Sequence, residues 1–142
     1  MKNLLLFVII FGMISTFLVA QTTPEENVKS AIVKLFKTCE TDDLKAASKQ
    51  IVYTGKDEKR NLQGLFNIND KKEASKINRT MKKVSAFLKI SDKYEFGNYS
   101  NKTDDQILLH SIEVLFLSGE QQLTTTFSFV EVNSSYLLAD IN

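Results

Sequence analysis

The chain has 142 residues, of which 43% are hydrophobic and 25% charged, with ten Phe, no Trp and one Pro. That length suits one compact domain, and 18 basic against 17 acidic side chains leave no electrostatic footprint for nucleic acid or anionic membrane surfaces. A single cysteine, Cys39, excludes an intramolecular disulfide and a thiolate metal site, and with one histidine the composition calls for neither metal nor cofactor.

Lys2 is followed by an apolar run from Leu4 to Ala20, ending in Leu-Val-Ala before Gln21. This reads as a signal peptide cleaved after Ala20, which predicts a secreted or periplasmic location. The run is short for a membrane span and lacks a basic flank behind it, so no stable span is expected after cleavage. Cleavage would remove Lys2 and no acid, leaving a mature domain over 21–142 with 17 basic and 17 acidic residues and no net charge.

Thr23-Pro24-Glu25-Glu26 is a helix start: a hydroxyl at the cap, proline at the first helical position and glutamate three residues after the cap. Val28, Ile32, Leu35, Phe36 and Cys39 follow at helical spacing, so the first helix is amphipathic and Cys39 is a buried thiol. A second cap at Thr41, with Asp42 and Asp43 on the dipole, predicts a short helix through Leu44, Ala47 and Ile51. From Tyr53 to Asp70 the pattern is irregular, and the alternating charges from Lys56 to Arg60 read as solvated surface. Asp70 and Glu73 then cap a long helix with Ala74, Ile77, Met81, Val84 and Leu88 on one stripe, ending near Lys89.

Four strands follow. Tyr94 to Ser100 is read as the first, with Tyr94, Phe96 and Asn98 on one face, Glu95, Gly97 and Tyr99 on the other, and Asn101 to Asp105 as its turn. Gln106 to Ser118 and Leu123 to Val132 flank Gly119-Glu120. A two-residue loop there pairs Phe116 with Leu123, Val114 with Thr125, Ile112 with Phe127 and His110 with Phe129. A slip of one residue would set Phe127 and Phe129 beside Ser111 and Glu113, so pattern and turn length require the same register. His110 then points toward the core. Tyr136 to Ile141 is the last strand; its register is open, and Ala139 and Ile141 are taken as the inward pair.

Helices that come first and strands that follow give an α+β fold, with helices laid on one face of a curved, four-stranded antiparallel sheet. In this order the chain resembles the nuclear transport factor 2-like (cystatin-like) superfamily, α+β cones with a cavity at the wide end. The resemblance spans Thr23 to Asn142. It rests on element order, on the opening Thr-Pro-Glu-Glu-Asn-Val-Lys-Ser-Ala-Ile and on the ending Phe-Ser-Phe-Val-Glu-Val-Asn-Ser-Ser-Tyr-Leu-Leu-Ala-Asp-Ile. That ending is similar to the final hairpin of small secreted bacterial members, where an aromatic residue, here Tyr136, follows the turn. The superfamily holds isomerases, dehydratases, ligand binders and interaction domains, so the resemblance implies a fold without selecting an activity.

Chemistry must then come from side chains in the cone. Tyr53, Tyr94, His110, Ile112, Phe127 and Phe129 are the candidate pocket residues. His110 is the one side chain suited to proton transfer, with Asp140, Tyr94 and Tyr53 as candidate partners to orient it, against the plainer reading of a hydrogen-bonded core histidine. Asp140 at a strand end is more simply solvated, and each tyrosine an aromatic core piece. The acidic base and tyrosines that isomerases of this superfamily use do not map onto these residues, which favours a non-catalytic role. Three readings follow: a binding or interaction domain for a small apolar or amphipathic ligand or a protein partner; a proton-transfer enzyme of the isomerase or dehydratase type using His110; and a homodimer joined through the outer sheet face at Thr124, Thr126 and Ser128.

Overall fold

A computed structural model describes residues 22–142; the signal peptide read at 1–20 lies outside the described residues. Three helices, α1 (Pro24–Glu40), α2 (Leu44–Ala47) and α3 (Lys71–Ile90), precede four strands, β1 (Lys93–Asp104), β2 (Ile107–Ser118), β3 (Gln121–Val132) and β4 (Ser135–Ile141). The strands form one antiparallel meander in the order β1-β2-β3-β4. The fold is α+β, with the helices packed on an open sheet. No described helix is long and apolar enough to cross a membrane.

Helix boundaries follow local chemistry. The Thr23 side chain accepts a hydrogen bond from the Glu26 amide, and Pro24 opens α1. Asp70 takes the Lys72 and Glu73 amides at the start of α3. The cap of α2 is Asp43, which accepts from the Ala46 amide, whereas Thr41 closes α1. Its hydroxyl donates back to the Lys37 and Thr38 carbonyls, the competing local bond that short polar side chains offer.

The core lies between helices and sheet. Val28, Ile32, Leu35 and Phe36 of α1 and Ile77, Met81 and Val84 of α3 meet Ile112, Val114, Phe116, Phe127, Phe129 and Leu138. Phe36 is its aromatic centre, edge-on to Tyr94 at 5.0 Å and to Phe127 at 5.7 Å between ring centroids. Cys39 is buried here, and burial, followed by the charges of Asp42 and Glu40, pushes its thiol up to about 11.

The β2–β3 register is the one the Gly119-Glu120 turn requires: Phe116 faces Leu123, Ile112 faces Phe127 and His110 faces Phe129. Gly119 supplies φ +56 at that turn. The outer pairings depart from simple alternation. In β1 the register shifts between Phe96 and Tyr99, so Gly97 and Asn98 together oppose Glu113. A Cβ on Gly97 would stand 2.8 Å from Leu115 Cδ1 and 3.1 Å from Glu113 Cβ, so a larger residue at the bulge would make those side chains shift. The consequence of the bulge is that Tyr99, set by alternation on the face opposite Tyr94 and Phe96, packs against the core beside them. The strand also runs on through Asn101–Asp104, and the turn shrinks to Asp105 and Gln106, both at positive φ.

A second bulge places Ala139 and Asp140 together opposite Ser128, because Phe127 pairs with Ile141 and Phe129 with Leu138. Ile141 points inward as expected from the sequence, but its inward companion is Leu138; Ala139 joins Val52, Val130 and Leu137 in a small cluster on the far face.

The stretch read as the end of a helix and an open loop is more ordered. Gln50 to Val52 run beside β4, with Leu138 N donating to Gln50 O and Val52 N to Leu138 O, and Ile51 bridges Leu138 in parallel. Arg60, read as solvated, reaches back as a clamp. Its guanidinium donates to both Glu73 carboxylate oxygens at 3.0 and 2.9 Å and to Leu65 O, and lies 4.2 Å from the Tyr53 ring centroid.

Candidate functional site

His110 sits on β2 with Phe129 on one side and Asn101 on the other. Strand alternation places its ring on the helix-facing side, in line with Ile112, Val114 and Phe116, and only 3% of the residue is exposed. The β1 bulge then brings Tyr99 onto the same face. Its hydroxyl lies 2.7 Å from His110 Nδ1, and the two rings are near parallel at 24°. Tyr136, the first aromatic residue after the last turn, stands edge-on to the imidazole, 5.1 Å between centroids. Sequence position separates these three residues; two bulged ladders and a hairpin unite them.

Burial is the largest influence on the imidazole and lowers its pKa below 6.5, with the charge of Glu131 opposing. Burial therefore favours the neutral ring. A neutral ring has one nitrogen that donates and one that accepts. The tautomer sets which of the Tyr99 hydroxyl and Nδ1 donates in their bond, and Nε2 makes no protein hydrogen bond among the described residues. Burial also raises the Tyr136 phenol, followed by the charges of Glu131 and Tyr99, while Asn27 of α1 acts the other way. Five polar side chains thus meet where the N-terminal part of α1 approaches the sheet: Asn27, Tyr99, His110, Glu131 and Tyr136.

Beside them opens a cleft of about 470 Å³ whose wall includes Leu62, Gln63, Leu108, His110, Glu131 and Asn133. Leu108 is 45% exposed and supplies an apolar lip. The mixture of an imidazole, a carboxylate and aliphatic surface can hold a neutral, hydrogen-bonding molecule and can pass a proton between Tyr99 and His110. Among the described residues no group of three His, Cys, Asp or Glu side chains converges as a metal site.

The residues expected to line a pocket divide into separate places. Ile112, Phe127 and Phe129 are at most 1% exposed and fill the core. Tyr94 packs on Phe36, Phe96 and Phe116. Tyr53 lies beneath Arg60 and against Phe66, 5.1 Å between centroids. Asp140 is exposed and accepts from the Asn142 amide at 2.6 Å. Neither Tyr94, Tyr53 nor Asp140 is the partner that orients His110; that partner is Tyr99. Gly97 was the available signal, since a glycine inside a strand marks a bulge that re-aims the residues after it.

No protein-family model and no curated protein matches the chain. Among solved structures it is similar to a protein titled "Rd1NTF2_05", whose title also records five substitutions. The two share 12% identity over 84% of this chain and 98% of that one, with a TM-score of 0.48. The chain's own architecture, helices first and then an open four-stranded antiparallel sheet, fits the nuclear transport factor 2-like α+β fold expected from its sequence.

Proposed function

We propose that the chain is a binding or interaction domain working outside the cytoplasm, performing no chemistry on its ligand, and that the cleft beside His110 is where a small apolar or amphipathic molecule or a protein partner is recognised. One observation carries this reading: the space between helices and sheet is packed at Ile112, Phe127 and Phe129, while His110 and Glu131 stand at the wall of an open cleft. Ligand sites combine apolar wall with a few placed polar groups, and this cleft has both. Indole, p-cresol and 2-hexanone, which pair an apolar body with one hydrogen-bonding group, test it. Saturable shifts of the His110 and Tyr136 ring signals in NMR spectra support the reading. Shifts confined to other parts of the chain, or none with any probe, refute it.

A second reading, proton transfer of the isomerase type, draws on one distance: the Tyr99 hydroxyl is 2.7 Å from His110 Nδ1, within the reach that a coupled acid and base require. It predicts deuterium exchange at the carbon next to the carbonyl of 2-hexanone, faster than in buffer and lost in His110→Gln. Exchange at the buffer rate excludes it for that substrate class.

A further inference from the structure

A second concavity, of about 320 Å³, lies between α3 and β4 and shares no lining residue with the His110 cleft. Its floor is apolar: Ile51, Phe66 and Leu138 are each at most 7% exposed. Its α3 wall is cationic. Lys76, Arg79 and Lys83 recur at i, i+3 and i+7, which sets them along one side of the helix.

Among the described residues none of the three forms an ion pair, and the Lys83 ammonium donates instead to the Ile141 carbonyl at 2.6 Å, which ties α3 to the end of β4. Asp140 is the one carboxylate in the lining, and it holds Asn142. The surrounding field has the same sign. The 20 residues of α3 contain seven Lys and Arg and one acid, Glu73, which Arg60 occupies from outside the helix. On a chain with nearly balanced charge, this is a concentrated positive wall above an apolar floor.

We propose that this groove binds an amphiphilic anion, a single carboxylate or phosphate head set between Lys76 and Arg79 with a short apolar body laid on Ile51, Phe66 and Leu138. The guanidinium offers the fork that grips two oxygens of either head, and the ammonium adds a point charge. The volume is near the small end of the ~300–1,000 Å³ spanned by ligand clefts, so the body is short. A bilayer surface could meet the cations but would not reach a concave floor behind them, which favours a single small molecule over an anionic membrane.

The groove and the His110 cleft stand or fall separately. The test uses octanoate and octyl phosphate as probes, octanol as the body without charge, acetate as the head without body, and phosphatidylglycerol vesicles as the surface. Either charged probe should give saturable amide shifts at Ile51, Thr80 and Leu138, leave the His110 ring signals unchanged, and weaken with added salt. The tighter of the two identifies the head. Octanol and acetate should each bind at least tenfold more weakly. Lys76→Gln with Arg79→Gln, both at exposed positions, should weaken the charged probe about tenfold or more, as loss of charge-assisted bonds implies, while Lys71→Gln outside the groove leaves it unchanged. Octanol or acetate binding as tightly as octanoate overturns the proposal. So does equal weakening by Lys71→Gln, or vesicle binding without any response to the charged probes.

Discussion

The Tyr99 hydroxyl reaches His110 Nδ1 at 2.7 Å although Tyr99 pairs in the ladder with Ile112, because the register shift between Phe96 and Tyr99 turns the tyrosine onto the helix-facing side. A backbone irregularity thus supplies the hydrogen-bond partner that a nearly buried imidazole has among the described residues. Exchange of protein–water for protein–protein hydrogen bonding makes such a contact worth about 0.5–1.5 kcal/mol. Tyr99→Phe should therefore lower unfolding free energy by roughly that amount in urea titrations, with the β2–β3 hairpin amides unshifted. A loss as large as that of a core truncation would mean that the phenol ring, not its hydroxyl, holds the site.

Two acid-sensitive windows follow from the ionisable groups. An unfolded chain binds a proton on His110 near pH ~6.5, whereas burial holds the folded ring lower. Across that interval the unfolded state carries the extra proton, so stability rises with pH. His110's contribution is complete above about pH 6.5 and is lost as pH falls toward the folded midpoint. Glu73 acts lower. The Arg60 hydrogen bonds, first among its influences, hold its carboxyl below 4.5, so its contribution is present above that value and is lost as pH falls through the folded midpoint. Urea unfolding across the acid range should show two declines. His110→Gln should flatten the upper one and Glu73→Gln the lower; a curve that His110→Gln leaves unaltered would contradict the assignment.

Arg60 binds a loop to a helix and a ring at once. Arg60→Ala should speed amide hydrogen exchange at Leu62 and Gly64, whose backbone bonds close this loop, and leave Ile77 and Phe127 protected. Arg60→Lys should fail to restore protection, since an ammonium cannot bridge two carboxylate oxygens and the Leu65 carbonyl in one plane. Full rescue by lysine would show that charge alone suffices.

The β1–β2 turn holds two non-glycine residues in the left-handed region, Asp105 at φ 42 and Gln106 at φ 69. Glutamine has no local hydrogen bond to offset that conformation, whose cost is ~1–2 kcal/mol per residue. Gln106→Gly should stabilise the chain by about 0.5–1 kcal/mol, part of the gain being offset by glycine's greater freedom when unfolded. Gln106→Ala should give no such gain. Both are read from urea midpoints.

Much of the fold was legible because independent constraints agreed. In β2 and β3, apolar alternation and a two-residue turn fixed one register, and in α1 and α3 caps and apolar stripes coincided. The candidate site was less legible. A bulge adds one residue without altering composition, so alternation set Tyr99 opposite Tyr94 and Ala139 inward, whereas Tyr99 shares the core with Tyr94 and Ala139 joins the other cluster. The polar end of β1, Asn101–Asp104, is exposed and lacks the pattern that marks a strand. Arg60 and Glu73 are 13 residues apart, and no periodicity brings a loop cation to a helix acid. Glu131 faces Tyr136 across the β3–β4 hairpin, whereas Asn27 meets it only through tertiary packing.

The most direct measurement is the pH titration of the His110 ring by NMR, alone and with indole or p-cresol. The account expects a single midpoint below 6.5 that moves when a ligand occupies the cleft. A ring that stays silent across the stable pH range would be sealed away from the cleft, and a midpoint above 6.5 would place a charge, not burial, in control. Either result would contradict the site described for this chain.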